Sequence, residues 1–343
     1  MKAAVLYANE DIRYDDYKTP SITESDSNSV IVKVYATGIC GSDVPRVIYN
    51  GSHYYPNVLG HEFAGEIVET GDGVTTLNVG DRVAGAPLVP CMRCIDCQNG
   101  NYALCRHYSF IGSREQGSFA EYVKIPAINA VKFDLGISYE QGALFEPSTV
   151  ALHGLRVNNY VGGYDTAILG GGTIGIFTMQ WAKIFGAKSV TVYDISDERL
   201  NLCKKMGADY VVNTKTEEIN KNAYHFVFET AGVTDTMQTA FEIGGNKSNI
   251  CFIGTPTKDL IFTPKLFENM NRKEFKLTGS WMSYSAPFPG DEWTLTAHYF
   301  KTRQLKFDED LIFKRFHLSE VGEAFNLYKT PGTVKGKIML LIN

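Results

Sequence analysis

The stretch Ala167-Ile168-Leu169-Gly170-Gly171-Gly172-Thr173-Ile174-Gly175 decides how the rest of the chain is read. A short apolar strand runs into Gly170, Gly172 and Gly175, the first, third and sixth positions of a G-x-G-x-x-G pattern, and a helical periodicity follows over 174–185. In a dinucleotide-binding turn the first glycine permits the bend and the second lets backbone approach a pyrophosphate. The third lets helix and strand pack closely, and the phosphates sit at the helix N-terminus, here Thr173 and Ile174. Alone the pattern is also that of a flexible turn. Its context adds Ser189-Val190-Thr191-Val192-Tyr193, a second strand that ends in Asp194, about 20 residues past the last glycine. A carboxylate there suits a ribose 2′-hydroxyl and repels a 2′-phosphate, which favours NAD. Arg199 keeps NADP as the alternative.

Working outward, helices are expected over 197–206 and 235–243, and strands over 226–229 and 249–254, with another at 276–281. Strands alternating with helices imply a doubly wound parallel sheet covered on both faces. Upstream the texture is all-β: Val30–Tyr35, Phe63–Glu69, a turn at Val79–Val83 leading to the next strand, and Phe119–Val123. Downstream come a helix over 291–302, a short helix over 319–328 and a strand over 336–342. A terminal strand needs a sheet edge, so 286–343 is expected to return to a first domain at 1–151, with the cofactor domain at 152–285.

The 343 residues carry a formal charge of -5 with signs mixed throughout. That gives no footprint for nucleic acid or an anionic membrane. No 18-residue apolar run is present, and Met1–Tyr7 is too brief for a signal peptide. A cytoplasmic protein without a membrane or nucleic-acid partner is expected.

Four of the seven cysteines, Cys91, Cys94, Cys97 and Cys105, crowd into a lobe at 87–107. Four thiolates can close a tetrahedral, structural zinc site. An iron–sulfur cluster uses similar spacing, but the run lacks the fourth cysteine three residues on and the proline after it. Dispersed candidates are Cys40, His61-Glu62 and Glu146. One thiolate, one imidazole and one carboxylate would leave a zinc position open for catalysis. Spacing alone cannot assemble them, and each has a structural reading as a core or surface residue.

Gly60-His61-Glu62, the cysteine lobe, the Gly170–Gly175 loop and Asp194 resemble the zinc-dependent medium-chain alcohol and polyol dehydrogenases along essentially the whole chain. Glu146, in Phe145-Glu146-Pro147, is similar to the sorbitol dehydrogenase branch. Ala36–Tyr55, Phe110–Arg114 and Gly279–Ser285 resemble members acting on polyol phosphates. The resemblance implies a distorted, chaperonin-10-like β-barrel catalytic domain built from both chain ends, a Rossmann cofactor domain, and an active-site cleft between them. It further implies two zinc ions per subunit, NAD, a homodimer or homotetramer, and hydride transfer from a secondary hydroxyl of a polyol phosphate. Cys40, His61 and Glu146 carry over as catalytic zinc ligands, Glu62 as their neighbour, and Thr230 as a residue beside the nicotinamide ribose. Ser42 is placed to accept the substrate proton, but Pro45 stands where classical members have the histidine that ends the relay.

A phosphate needs fixed positive charge, for which Arg46 and Arg114 are candidates. Tyr55, Trp281 and Tyr284 are candidate walls for a polyol. Unphosphorylated polyols or threonine remain alternative substrates, and a non-catalytic NAD-binding protein remains an alternative of another class.

Overall fold

Apolar strands alternating with helices build one six-stranded parallel sheet in the computed structural model, which describes residues 1–342. Its order is Tyr210–Asn213, Ser189–Asp194, Asp165–Leu169, Tyr224–Glu229, Gly244–Phe252 and Lys276–Gly279. In chain order this is third, second, first, fourth, fifth, sixth, the dinucleotide-binding arrangement, and a ligand crevice opens where the order reverses. The reversal lies beside Asp165–Leu169, whose C-terminal end is the glycine loop. Ala167, Leu169, Tyr193, Val227 and Ile250 form part of the core there. Tyr210–Asn213 was not expected from its sequence: it is a four-residue edge strand that begins with an exposed tyrosine.

This sheet belongs to a unit formed by Pro147–Ser283 with Gln304–Leu311; Met1–Glu146, Tyr284–Arg303 and the chain from Ile312 form the other. In that other unit the long strand Ser29–Ile39 is central. It pairs antiparallel with Glu62–Thr70, Tyr122–Pro126 and Lys337–Leu341 within a seven-stranded sheet. Val30, Val32 and Val34 are fully buried in a core shared with Leu6, Phe63, Phe119 and Leu340. The terminal strand is not at an edge, for it lies between Ser29–Ile39 and Ile312–His317.

Two further expectations need correction, and one helical region was not anticipated. The strand placed at 119–123 starts at Tyr122, because Phe119 and Glu121 first bond to the N-terminal strand through Ala4 N–H and Lys2 C=O. The region 139–157, given no structure above, is helical in two pieces, Tyr139–Ala143 and Phe145–Val157. Pro147 reads as a breaker, yet it sits in a first turn, where a missing N–H goes unused. The segment 319–328 forms only a short α-helix, Val321–Asn326, flanked by 3-10 turns.

Candidate metal centres and cofactor loop

Strand register assembles the first centre. Gly38 pairs with Glu62, and Ile39 pairs with Ile338. Residues just beyond these pairs, Cys40, His61 and Lys337, therefore meet at one end of the sheet. Cys40, His61 and Glu62 offer ligand atoms that all lie within 4.8 Å of one another. After Cys40 the chain turns sharply, with Asp43 N–H donating to Cys40 O (3.0 Å) and Cys40 N–H to Asp43 Oδ2 (3.1 Å). Asp43, wholly buried, then faces His61 Nδ1 across 3.5 Å through Oδ1. A carboxylate at Nδ1 leaves Nε2 as the ligating nitrogen, the usual way a metal-binding histidine is oriented.

Lys337 packs against Glu62, its Nζ 2.7 Å from Oε1 and 2.5 Å from Oε2, and also donates to Ile39 O (3.2 Å). The side chains are 7% and 2% exposed. Gly38 makes room for this pair, since a Cβ there would overlap Glu62 Oε2 and lie 3.1 Å from Lys337 Cδ.

The electrostatics call for a cation. Burial disfavours the His61 imidazolium, but Asp43 and Cys40 outweigh it and raise the His61 pKa well above its usual value. Burial, reinforced by Glu62 and Asp43, pushes Glu146 up to about 7 against the opposing pull of His61 and Lys337. Asp43 Oδ1 and His61 Nδ1 are buried without a well-formed hydrogen bond, as is Glu62 Oε2 apart from its ion pair with Lys337. A thiolate, an imidazole and excess buried carboxylate fit zinc. Glu146 lies in the first turn of Phe145–Val157, close enough to feel His61, Glu62 and Lys337.

Ser42 Oγ donates toward Cys40 Sγ at 3.4 Å. Arg46 Nη1 donates to Ser42 O (2.7 Å) and Oγ (3.1 Å), and lies 3.8 Å from Asp43 Oδ1. Arg114 stacks on Tyr108, its Cζ 4.4 Å from the ring centroid. Tyr55 is half-exposed, and its hydroxyl donates to Asn9 and accepts from Ser52 N–H. Tyr284 is buried, accepts from Leu88 N–H and stacks on Phe288, with burial and then Glu146 raising its pKa. Trp281 is 52% exposed, so it does not end a core strand.

In the cysteine lobe, Cys94 Sγ lies 3.5 Å from Cys97 Sγ and 3.9 Å from Cys105 Sγ, and all four sulfurs fall within 4.8 Å. A disulfide would require about 2 Å, whereas a tetrahedron with Zn–S bonds of about 2.3 Å has edges of about 3.8 Å. Backbone N–H groups of Cys97 and Arg106 lower Cys94 to about 6, whereas burial and its neighbouring thiols hold Cys97 up to about 12. The lobe fits a closed metal site.

In the second unit, Gly170 has φ of +108°. A Cβ on Gly175 would collide with Gly170 O, so turn and helix can approach this closely only with glycine. Gly172 caps Thr173–Ile184, which contains Ile174. Asp194 Oδ2 accepts from Gly171 N–H (2.7 Å), and Oδ1 accepts from Ile195 and Ser196 N–H (2.8 and 2.9 Å). Arg199 lies 3.8 Å from Asp194 Oδ2. Thr230 Oγ1 donates to Leu169 O and Gly170 O, tying its loop to the glycine turn.

The sequence reading missed Asp43 and Lys337. Asp43 carried a faint signal, an acid three residues after a candidate cysteine ligand; Lys337 carried none.

Two family models match the chain. Residues 26–134 match the alcohol dehydrogenase GroES-like domain and residues 173–297 the zinc-binding dehydrogenase domain. Galactitol 1-phosphate 5-dehydrogenase of Escherichia coli K12 is 38% identical over 351 aligned positions, 99% of this chain and 100% of that protein. A crystal structure of galactitol-1-phosphate dehydrogenase from Escherichia coli superposes with a TM-score of 0.93 at 38% identity, covering 99% and 100% of the two chains. Sorbitol dehydrogenase of Bacillus subtilis is 34% identical over 282 positions, 76% of this chain and 77% of that one.

Proposed function

We propose that this chain, which belongs to the zinc-binding dehydrogenase family, oxidises a secondary hydroxyl of a polyol phosphate with NAD, converting galactitol 1-phosphate to tagatose 6-phosphate. The observation that carries the reading is the end-to-end likeness to the Escherichia coli enzyme of that name. The cluster of Cys40 with the buried His61 and Glu62, and Glu146 beside it, supports it.

Cys40, His61 and Glu146 would hold the catalytic zinc, and Cys91, Cys94, Cys97 and Cys105 a second, structural one. Zinc held there would supply a Lewis acid that makes the substrate hydroxyl more acidic, and NAD would supply the hydride acceptor. The chain's own residues do the rest. Asp43 orients His61, and Lys337 compensates the charge of Glu62. Ser42 Oγ would accept the substrate proton while its own hydroxyl proton passes to solvent, so that the hydroxyl stays neutral. Arg46 has only N–H donors and so cannot accept that proton; its N–H on Ser42 Oγ holds the hydroxyl in place. Asp194 and Arg199 would face the adenosine ribose, with NAD favoured by the carboxylate. The proposal includes a cytoplasmic homodimer or homotetramer. No described helix is long and apolar enough to cross a membrane.

The Bacillus subtilis relative keeps a second reading open, oxidation of an unphosphorylated polyol. Steady-state NAD reduction by zinc-replete protein on galactitol 1-phosphate, galactitol and sorbitol separates the two. A kcat/KM preference of about 100-fold for the phosphate ester, about 2.7 kcal/mol, is expected. Equal or faster turnover of free sorbitol would overturn the sugar-phosphate assignment and leave the dehydrogenase assignment standing.

A further inference from the structure

A dianionic substrate leaves a question of placement: which part of this chain meets the phosphate. The buried side chain of Asn57 gives the first clue. Its Nδ2 donates both to Ser52 Oγ (2.7 Å) and to Ser113 O (3.1 Å). Ser52 immediately precedes His53, and Ser113 immediately precedes Arg114. One buried amide therefore clamps together two surface loops at the points from which His53 and Arg114 project.

Arg46 joins them from a third element, the short helix Asp43–Ile48. After burial, the two influences bearing on the His53 imidazole are the guanidiniums of Arg114 and Arg46, with no carboxylate answering them. Positive charge thus accumulates at this spot. Stacking on Tyr108, with Nη2 3.4 Å from the tyrosine hydroxyl, fixes one face of the Arg114 guanidinium. Among the described residues no other hydrogen bond or ion pair engages the Arg114 guanidinium, and none engages the His53 ring. Arg46 spends Nη1 on Ser42 and is partly balanced by Asp43, and its remaining N–H edge has no partner there.

Arg46 also fixes where this cluster lies. Two hydrogen bonds, Arg46 to Ser42 Oγ and Ser42 Oγ to Cys40 Sγ, link it to the candidate metal centre. A polyol whose oxidised carbon is held at that centre would extend a phosphate on its far carbon away from it, as the C1 phosphate and C5 oxidation of the proposed substrate require.

We propose that Arg46, His53 and Arg114 form the subsite that takes the phosphate monoester of the substrate. The inference rests on the polyol-phosphate reading above. Two guanidiniums supply planar donor forks matched to phosphate oxygens, and the imidazole adds one N–H when neutral. Arg114 is exposed, so its removal need not disturb the fold.

The test uses zinc-replete enzyme and its Arg114→Ala and His53→Gln variants. For each, kcat/KM is measured on galactitol 1-phosphate and on galactitol, and inorganic phosphate is titrated as an inhibitor of galactitol oxidation. The expected result is at least a tenfold fall in the preference for the phosphate ester, expressed in its KM and not in kcat, with the KM for NAD unmoved. The inhibition constant of inorganic phosphate should rise by a similar factor. If the wild type prefers the phosphate ester and both variants keep that preference, this placement is wrong and the substrate reading stands. If the wild type shows no such preference, yet inorganic phosphate competes with galactitol and the variants abolish that competition, the substrate reading falls while the anion site remains. Absence of both effects in the wild type removes both. A rise in the KM for NAD would move the cluster to the cofactor and overturn the subsite.

Discussion

Replacing Lys337 with methionine keeps most of its volume and removes its charge, so the substitution isolates the ion pair with Glu62. The two side chains are 7% and 2% exposed and meet at 2.5 and 2.7 Å. Water therefore cannot take over when the ammonium goes. Breaking a buried pair by removing one partner costs about 3–5 kcal/mol, because the surviving charge is left uncompensated. Here the survivor is a carboxylate that already bears on Glu146, which places the expected loss toward the upper end. A surface pair of similar length, Lys188–Asp165 at 2.9 Å with side chains 67% and 37% exposed, sets the contrast. Lys188→Met should cost about 1 kcal/mol or less. The assay is urea unfolding of zinc-free protein at pH 7, with Glu62→Gln and the double variant completing a thermodynamic cycle. The double variant should recover most of the loss. If Lys337→Met costs no more than Lys188→Met, or the two losses at Lys337 and Glu62 simply add, the buried-pair argument is wrong.

Two further outcomes follow from the site. Glu146 titrates near 7 in the folded chain, against an ordinary 4.5, so the native state holds a proton that the unfolded state has given up. Zinc-free protein should therefore lose stability as pH rises from about 4.5 to about 7, by up to about 3 kcal/mol. His61, also raised, adds a loss of the same sign above its usual range. Chemical denaturation across that window should show the slope in zinc-free wild type, and Glu146→Gln should flatten it. In the lobe, Cys97→Ser should remove one metal equivalent per chain by elemental analysis and lower the melting temperature, while the remaining metal stays bound. Unchanged metal content would contradict the four-sulfur site.

The cofactor loop was legible because its requirements are local: glycine spacing, a following helix and a carboxylate at a fixed distance all appear in one stretch. The cysteine lobe was legible for the same reason. Lys337 was not. In Val334-Lys335-Gly336-Lys337 nothing separates it from Lys335, and only the pairing of Ile338 with Ile39 carries it under the ligand turn. Asp43 looked like an ordinary turn acid in Gly41-Ser42-Asp43, and its role depends on a histidine brought in by another strand. The helix Phe145–Val157 was hidden by Pro147, since the residue alone does not reveal whether it opens a helix or breaks one. Local chemistry was readable, while contacts that depend on register were not.

The hydrogen bond from Lys337 to Ile39 joins residues 298 positions apart. During synthesis at roughly 5–20 residues per second, the strand Ser29–Ile39 waits roughly 15–60 s for the neighbour that completes its pairing. The six-stranded sheet faces no such delay, because all its strands lie between residues 165 and 279. The later-emerging sheet can thus close while the earlier one still has an open flank and a buried-to-be Glu62 without its counter-charge. A nascent chain of this kind matures from the middle outward, and its metal-binding end is finished last.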